Sequence, residues 1–116
     1  MDVAIDVAIR QASRSVETHR HGAAAVVGRC VVAAGVNRTA NPCGLRSVHA
    51  EMDALWKLPA NGAPPDRVVV VRLRRDQPLG NSRPCAACMR ALRRAGVRRV
   101  TYSTDDPARP FATEPV

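Results

Sequence analysis

Val68-Val69-Val70-Val71, then Pro84-Cys85-Ala86-Ala87-Cys88-Met89-Arg90-Ala91-Leu92-Arg93-Arg94-Ala95-Gly96, then Val97-Arg98-Arg99-Val100-Thr101-Tyr102: this run decides the fold. Four consecutive β-branched residues make a strand buried on both faces of a helix-covered sheet, so Val68–Val71 is the expected sheet centre. Pro84 suits the first position of a helix reaching about Ala95, and Gly96 is its terminator. Cys85, Cys88, Met89 and Leu92 share one face of that helix, and Arg90, Arg93 and Arg94 fall on the other. Val97–Tyr102 reads as a second strand. Strand, helix and strand in short order make the two strands parallel, the mark of an α/β sheet.

Upstream, Asp2 is a good cap for an amphipathic helix over 2–19, with Ile5, Ile9, Ala12 and Val16 at helical spacing. Ala23–Val27 and Val31–Val36 are apolar runs joined by Gly28-Arg29, a hairpin signal. A polar loop with Asn41-Pro42 and Gly44 follows. Ser47 is then placed to cap a helix whose inner face is Val48, Met52, Leu55 and Trp56. Pro59–Pro65 is an irregular connection, and Thr104-Asp105-Asp106-Pro107 is a turn. Phe111–Val116 reads as a weak edge strand because it contains Pro115. The whole predicts a three-layer α/β/α sandwich with a mixed sheet of four or five strands, spanning 1–116 as a single domain.

The chain has 116 residues, 46% of them apolar, enough for one modest core. Its start is acidic and lacks a small-residue cleavage site, and no apolar run reaches membrane-spanning length. The expectation is therefore a soluble, intracellular, cytoplasmic protein. The cysteines stand at 30, 43, 85 and 88; in that setting Cys85-x-x-Cys88 reads as metal or redox chemistry, with Cys30 and Cys43 as inert thiols. The net charge is +8, and Arg67–Arg99 holds ten arginines against one acid, Asp76. Such a stretch attracts phosphates, on a nucleic acid or on a mononucleotide. Arginine also outnumbers lysine 17 to 1, a bias that codon composition alone can produce, so the stretch reads equally as a phosphate-binding surface and as a compositional bias.

His49-Ala50-Glu51 opens one predicted helix and Pro84-Cys85-Ala86-Ala87-Cys88 opens another, about one strand later. Cys85 and Cys88, one helical turn apart at a helix N-terminus, can converge on one ion as thiolates, and His49 adds a third ligand. Three protein ligands leave the fourth tetrahedral position of a Zn2+ ion to water, as in catalytic rather than closed structural sites. Two thiolates offset the charge of the ion, so the water is less acidified than on three neutral histidines and a nearby base, Glu51, becomes useful. The plain readings are a redox pair, half a zinc knuckle, or a surface helix carboxylate. His19 and His21 have no cysteine partner nearby and read as exposed loop residues.

This pairing of His-x-Glu with Pro-Cys-x-x-Cys resembles the cytidine and deoxycytidylate deaminase superfamily, and the order of elements along nearly the whole chain is similar too. The resemblance implies one Zn2+ per chain on His49, Cys85 and Cys88, with hydroxide attacking C4 of cytosine, or C6 of adenine, while Glu51 shuttles the proton. It also implies Asn37 against the sugar, the Ala50 backbone amide and Pro84 at the base, and Tyr102 and Asp105 near the substrate through the loop after the second strand. Asn37 equally closes a strand by local bonds, and that loop equally reads as a solvated turn. The expected substrate is a free nucleoside or nucleotide, since only Trp56, Tyr102 and Phe111 are available as stacking platforms. A nucleic-acid deaminase using Arg67–Arg99, or a catalytically silent zinc module, are the competing readings. The shortened C-terminal region, with a sheet edge to cover, predicts a homo-oligomer.

Overall fold

The computed structural model describes residues 2–39 and 47–116. The loop expected at Asn41-Pro42 and Gly44, and Cys43, lie outside the described residues. The elements run α1 (Val3–Ser13), β1 (Arg20–Val27), β2 (Cys30–Val36), β3 (Arg38–Thr39), β4 (Ser47–Val48), α2 (Ala50–Trp56), β5 (Arg67–Leu73), β6 (Leu79–Gly80), α3 (Ala86–Arg94), β7 (Arg99–Ser103) and β8 (Phe111–Pro115). The main sheet is ordered β2-β1-β5-β7-β8, with β6 paired to the end of β5, giving six strands where four or five were expected. The β5–β7 pair is parallel and the others are antiparallel, so the sheet is mixed.

Val68–Val71 occupies the sheet centre and is buried on both faces. Val69 and Val71 pack with Ala4, Ala8 and Ala24 under α1; Val68 and Val70 pack with Ala50, Ala54, Leu92 and Val100 under α2 and α3. Burying each such valine stabilises the fold by roughly 1.5–3 kcal/mol. Helices on both faces complete the three layers. Residues Gly28-Arg29 turn the β1–β2 hairpin, with Gly28 at φ 60°. Gly96, at φ 87°, ends α3: the Val97 amide donates to Leu92 O at 3.1 Å and the Gly96 amide to Arg93 O at 3.1 Å.

Three expectations change. First, α1 stops at Ser13 rather than residue 19, and its buried face is Ala4, Ala8 and Ala12. Ser13 Oγ donates back to Arg10 O, and Ser15 Oγ leaves the helix to donate to Asn37 Oδ1 at 2.7 Å, drawing the chain away; Val16 is left 96% exposed. Second, Ser47 and Val48 form β4 against β3, and α2 starts two residues later with His49 at its cap position. Third, α2 turns Ala50, Glu51, Asp53 and Ala54 inward, and Trp56 is 67% exposed rather than part of the inner face. The segment Phe111–Pro115 does form an edge strand, with Pro115 at its last position opposite Arg99.

Candidate active site

The start of α2 and the start of α3 meet beside the end of β5. His49 precedes α2, Cys85 precedes α3, and Cys88 lies one turn into it, so the 3.6-residue repeat alone turns both sulfurs to one side. His49 Nδ1 lies 3.2 Å from Cys88 Sγ and 4.0 Å from Cys85 Sγ, and the three ligand atoms all lie within 4.8 Å of one another. Metal–ligand bonds of roughly 2.0–2.3 Å at tetrahedral angles put ligand atoms about 3.5–3.8 Å apart, so the cluster fits one Zn2+. Burial and the charge of Glu51 push the Cys88 thiol above its usual range, so its ionisation needs a cation beside it.

The loop entering Pro84-Cys85 is pinned by a buried serine pair. Ser82 Oγ donates to Val70 O at 2.7 Å, the Ser103 amide donates to Ser82 Oγ at 2.9 Å, and Ser103 Oγ donates to Gly80 O at 2.7 Å. Behind α2, the almost fully buried Asp53 accepts from the Val36 amide at 3.0 Å, Arg38 Nε at 3.1 Å and Lys57 Nζ at 2.8 Å. Burial alone raises its pKa, but the Lys57, Val36 and Arg38 hydrogen bonds and the Lys57 charge outweigh this and hold it below the usual carboxylate range. Neither device has a local sequence signal.

A cleft of about 470 Å³ opens over the cluster, lined by His49, Ala50, Glu51, Pro84 and Cys85 together with Asn37, His19, His21 and Arg83. Glu51 is 5% exposed, and burial raises its pKa against the opposing effects of its own backbone amide and of His49. Asn37 reaches the cleft with its side chain largely committed: Oδ1 accepts from Ser15 Oγ at 2.7 Å and the His21 amide at 2.9 Å, and Nδ2 donates to His19 O at 2.6 Å. One amide hydrogen remains for a ligand. His21, read from sequence as an exposed loop residue, is a half-buried β1 residue. Burial, helped by the charges of Arg72, His49 and His19, pushes its pKa down to about 4.

Tyr102 and Asp105 do not line this cleft. Tyr102 Oη donates to Glu114 Oε2 at 2.6 Å, and Glu114 in turn accepts from Arg83 at 2.8 and 3.0 Å, so Tyr102 reaches the cleft wall only through Glu114 and Arg83. Asp105 accepts from the Asn81 amide at 2.9 Å and lines a separate cavity of about 150 Å³. The Arg67–Arg99 stretch is not one surface either. Arg67 and Arg99 are paired at one end of the β5–β7 ladder, whereas Arg72, Arg74 and Arg83 lie toward the cluster, roughly 20 Å along β5 at 3.3 Å per residue.

The model of the cytidine and deoxycytidylate deaminase zinc-binding region matches residues 1–104. The chain belongs to this family. Its fold is that of solved family structures. The cytidine deaminase of Burkholderia pseudomallei superposes with a TM-score of 0.70 at 22% identity, covering 97% of this chain and 90% of that one. The cytidine deaminase of Mycobacterium leprae gives 0.68 at 22% identity, covering 97% and 91%. The dCMP deaminase of cyanophage S-TIM5 gives 0.66 at 22% identity, covering 88% and 80%. A comparison with curated proteins finds no match. Among the described residues no helix is long and apolar enough to cross a membrane.

Proposed function

We propose that the chain is a zinc-dependent hydrolase that deaminates the cytosine base of a nucleoside or nucleotide, releasing ammonia. The observation that carries this is a buried carboxylate, Glu51, lining the same cleft as His49 and Cys85, which with the buried Cys88 form the three-ligand cluster. A cleft of about 470 Å³ is within the roughly 300–1,000 Å³ usual for small-molecule sites. Zn2+, held by His49, Cys85 and Cys88, supplies Lewis-acid activation of a water. Glu51 takes a proton from that water as its oxygen attacks C4 and passes the proton to N3. Glu51 then carries the remaining proton of the added oxygen to the exocyclic nitrogen, the C4–N bond breaks as the C4 carbonyl forms and ammonia leaves, so cytosine and water become uracil and ammonia.

The Ala50 backbone amide and the remaining Asn37 amide hydrogen are donors for base and sugar, and Pro84 supplies an apolar wall. Tyr102 acts on this cleft through Glu114 and Arg83, and Asp105 through the Asn81 loop. The division of the arginines between two ends of the sheet favours a small substrate over a polymer threaded along Arg67–Arg99. Association with further copies of the chain is supported by the exposed Trp56, which with Met52 borders a shallow cavity beside Cys85 and Cys88. Sedimentation as a monomer at working concentration overturns that association.

The test is ammonia release from cytidine, deoxycytidine, their monophosphates, adenosine, single-stranded DNA and transfer RNA by the zinc-loaded protein. Glu51→Gln should lower turnover by at least about 10²-fold while keeping one zinc per chain. Unchanged turnover defeats the assigned role of Glu51. Zinc binding without turnover of any substrate makes the chain a silent zinc module.

A further inference from the structure

The backbone amides at the end of β2 alternate between its partner strand β1 and the open edge of the sheet. The Asn37 amide donates to His21 O on β1 at 3.2 Å, so the Val36 amide points the other way, off an edge where the sheet has no further strand among the described residues. Asp53 of α2 meets it there: Oδ2 accepts from the Val36 amide at 3.0 Å, and Oδ1 of the same carboxylate accepts from Arg38 Nε at 3.1 Å. One buried side chain thus grips the residue before Asn37 and the residue after it. Lys57, one turn along α2, completes the group at 2.8 Å.

The backbone of Asp53 belongs to the metal side. Its amide donates to His49 O at 3.0 Å, the first hydrogen bond of α2, and Glu51 lies in the same turn. Arg38 in addition pairs with Val48, the residue before His49, in the β3–β4 ladder. Asn37 therefore sits inside a ring of contacts that runs from Val36 through Asp53 and His49 to Val48 and Arg38. The bare backbone of Gly35 lets α2 lie close to β2, but closeness does not stop a helix sliding along a strand. A carboxylate with 1% of its surface exposed is costly to bury, and an apolar side chain would fill the same space. Directional bonds on both sides of Asn37 add what apolar packing lacks, a fixed register between helix and strand.

We propose that Asp53 is a positioning residue: by holding Val36 and Arg38 to the turn of α2 that carries His49 and Glu51, it fixes the distance between Asn37, the donor for the sugar, and Glu51, the proton carrier at the base. The inference rests on the deaminase reading and adds to it a residue that touches neither substrate nor metal. It acts through the placement of Asn37, so its effect on turnover depends on Asn37 being present.

Zinc-loaded wild type, Asp53→Ala, Asp53→Asn, Asn37→Ala and each Asp53 variant combined with Asn37→Ala are compared on cytidine and deoxycytidine. The Asn37 side-chain amide signals are followed by heteronuclear NMR on the same preparations. Asp2→Ala, which removes the α1 cap and the Arg67 pair at the far end of the sheet, is the control for lost stability alone. In Asp53→Ala kcat/KM should fall about tenfold, mostly through KM, within the roughly 10²-fold that a displacement of about 1 Å costs. In the Asn37→Ala background the same replacement should cost less than about twofold, because the group it places is gone. Asp53→Asn keeps one acceptor, so its loss should be smaller, and it carries the same comparison if Asp53→Ala does not fold. The Asn37 signals should shift in Asp53→Ala, return part-way in Asp53→Asn and stay in place in Asp2→Ala. Unmoved Asn37 signals in the Asp53 variants, an equal loss of kcat/KM with and without Asn37, or the same loss in Asp2→Ala overturns the proposal. Shifted Asn37 signals in a protein that deaminates none of the substrates named above sustain the positioning and overturn the deaminase reading.

Discussion

Gly35 lies under α2, and a Cβ there would sit 2.3 Å from Ala50 O, 2.4 Å from Ala54 N and 3.0 Å from Ala54 Cα, all backbone atoms. Carbon contacts settle near 3.5–4.0 Å, so Gly35→Ala must push the start of α2 away from the sheet by about 1 Å. His49 and Glu51 flank Ala50 and move with it. Zinc sites tolerate about 0.2 Å in ligand distance, and a displacement of about 1 Å at a catalytic group costs on the order of 10²-fold in rate. Overpacking costs about 1–3 kcal/mol, offset in part by about 0.4–1 kcal/mol from the stiffer unfolded chain. The matched control is Gly22→Ala on the adjacent strand, where a Cβ would lie 2.1 Å from Ala8 O and 2.3 Å from Ala12 N and would lift α1 from the opposite face. Both variants should lose comparable stability in urea titrations, but Gly35→Ala should lose far more zinc affinity, measured against a competing chelator, and far more ammonia release. Equal damage to the metal site by the two variants, or wild-type zinc affinity in Gly35→Ala, refutes the reasoning.

Asp53→Ala strands the Val36 amide, while the half-exposed Arg38 and Lys57 regain water, so stability should fall by about 1–3 kcal/mol. Asp53→Asn should recover part of this in urea unfolding, and an Asn variant no better than Ala discounts the Val36 bond. His21 binds a proton near pH 6.5 when unfolded but only at about pH 4 when folded. Protonation therefore favours the unfolded chain as pH falls from about 6.5 towards 4, and stability from this group, full above that window, is lost across it. Zinc-loaded His21→Gln should show a flatter stability profile than wild type between those pH values; parallel profiles count against the lowered pKa.

How much was legible from the chain follows the range of the interactions concerned. The Cys85–Cys88 pair, the His49–Glu51 spacing, the central Val68–Val71 strand and the Gly28-Arg29 and Gly96 stops are set within one or two turns of chain. Helical repeat, β-branching and glycine backbone freedom act at that range, so spacing in the sequence reported them. His49, by contrast, meets the cysteines across 36 to 39 residues only because the fold brings the two helix starts together. Interactions between distant segments decided the rest. The Ser15–Asn37 bond ended α1 early, the β3–β4 ladder delayed α2, and the bare backbones at Gly22 and Gly35 selected Ala4, Ala8, Ala50 and Ala54 as the buried faces instead of the bulkier Ile5, Ile9 and Trp56. Apart from the bond of Asp53 to Lys57 one turn on, Asp53 and the Ser82–Ser103 pair are polar groups whose burial depends on partners 12 to 23 residues away, so local pattern does not announce them. The arginine-rich stretch reads as one patch in sequence because its members are neighbours in the chain. Passage of that chain along β5, through α3 and back to β7 carries them to opposite ends of the sheet, and only those folded beside the cleft are in reach of its ligand.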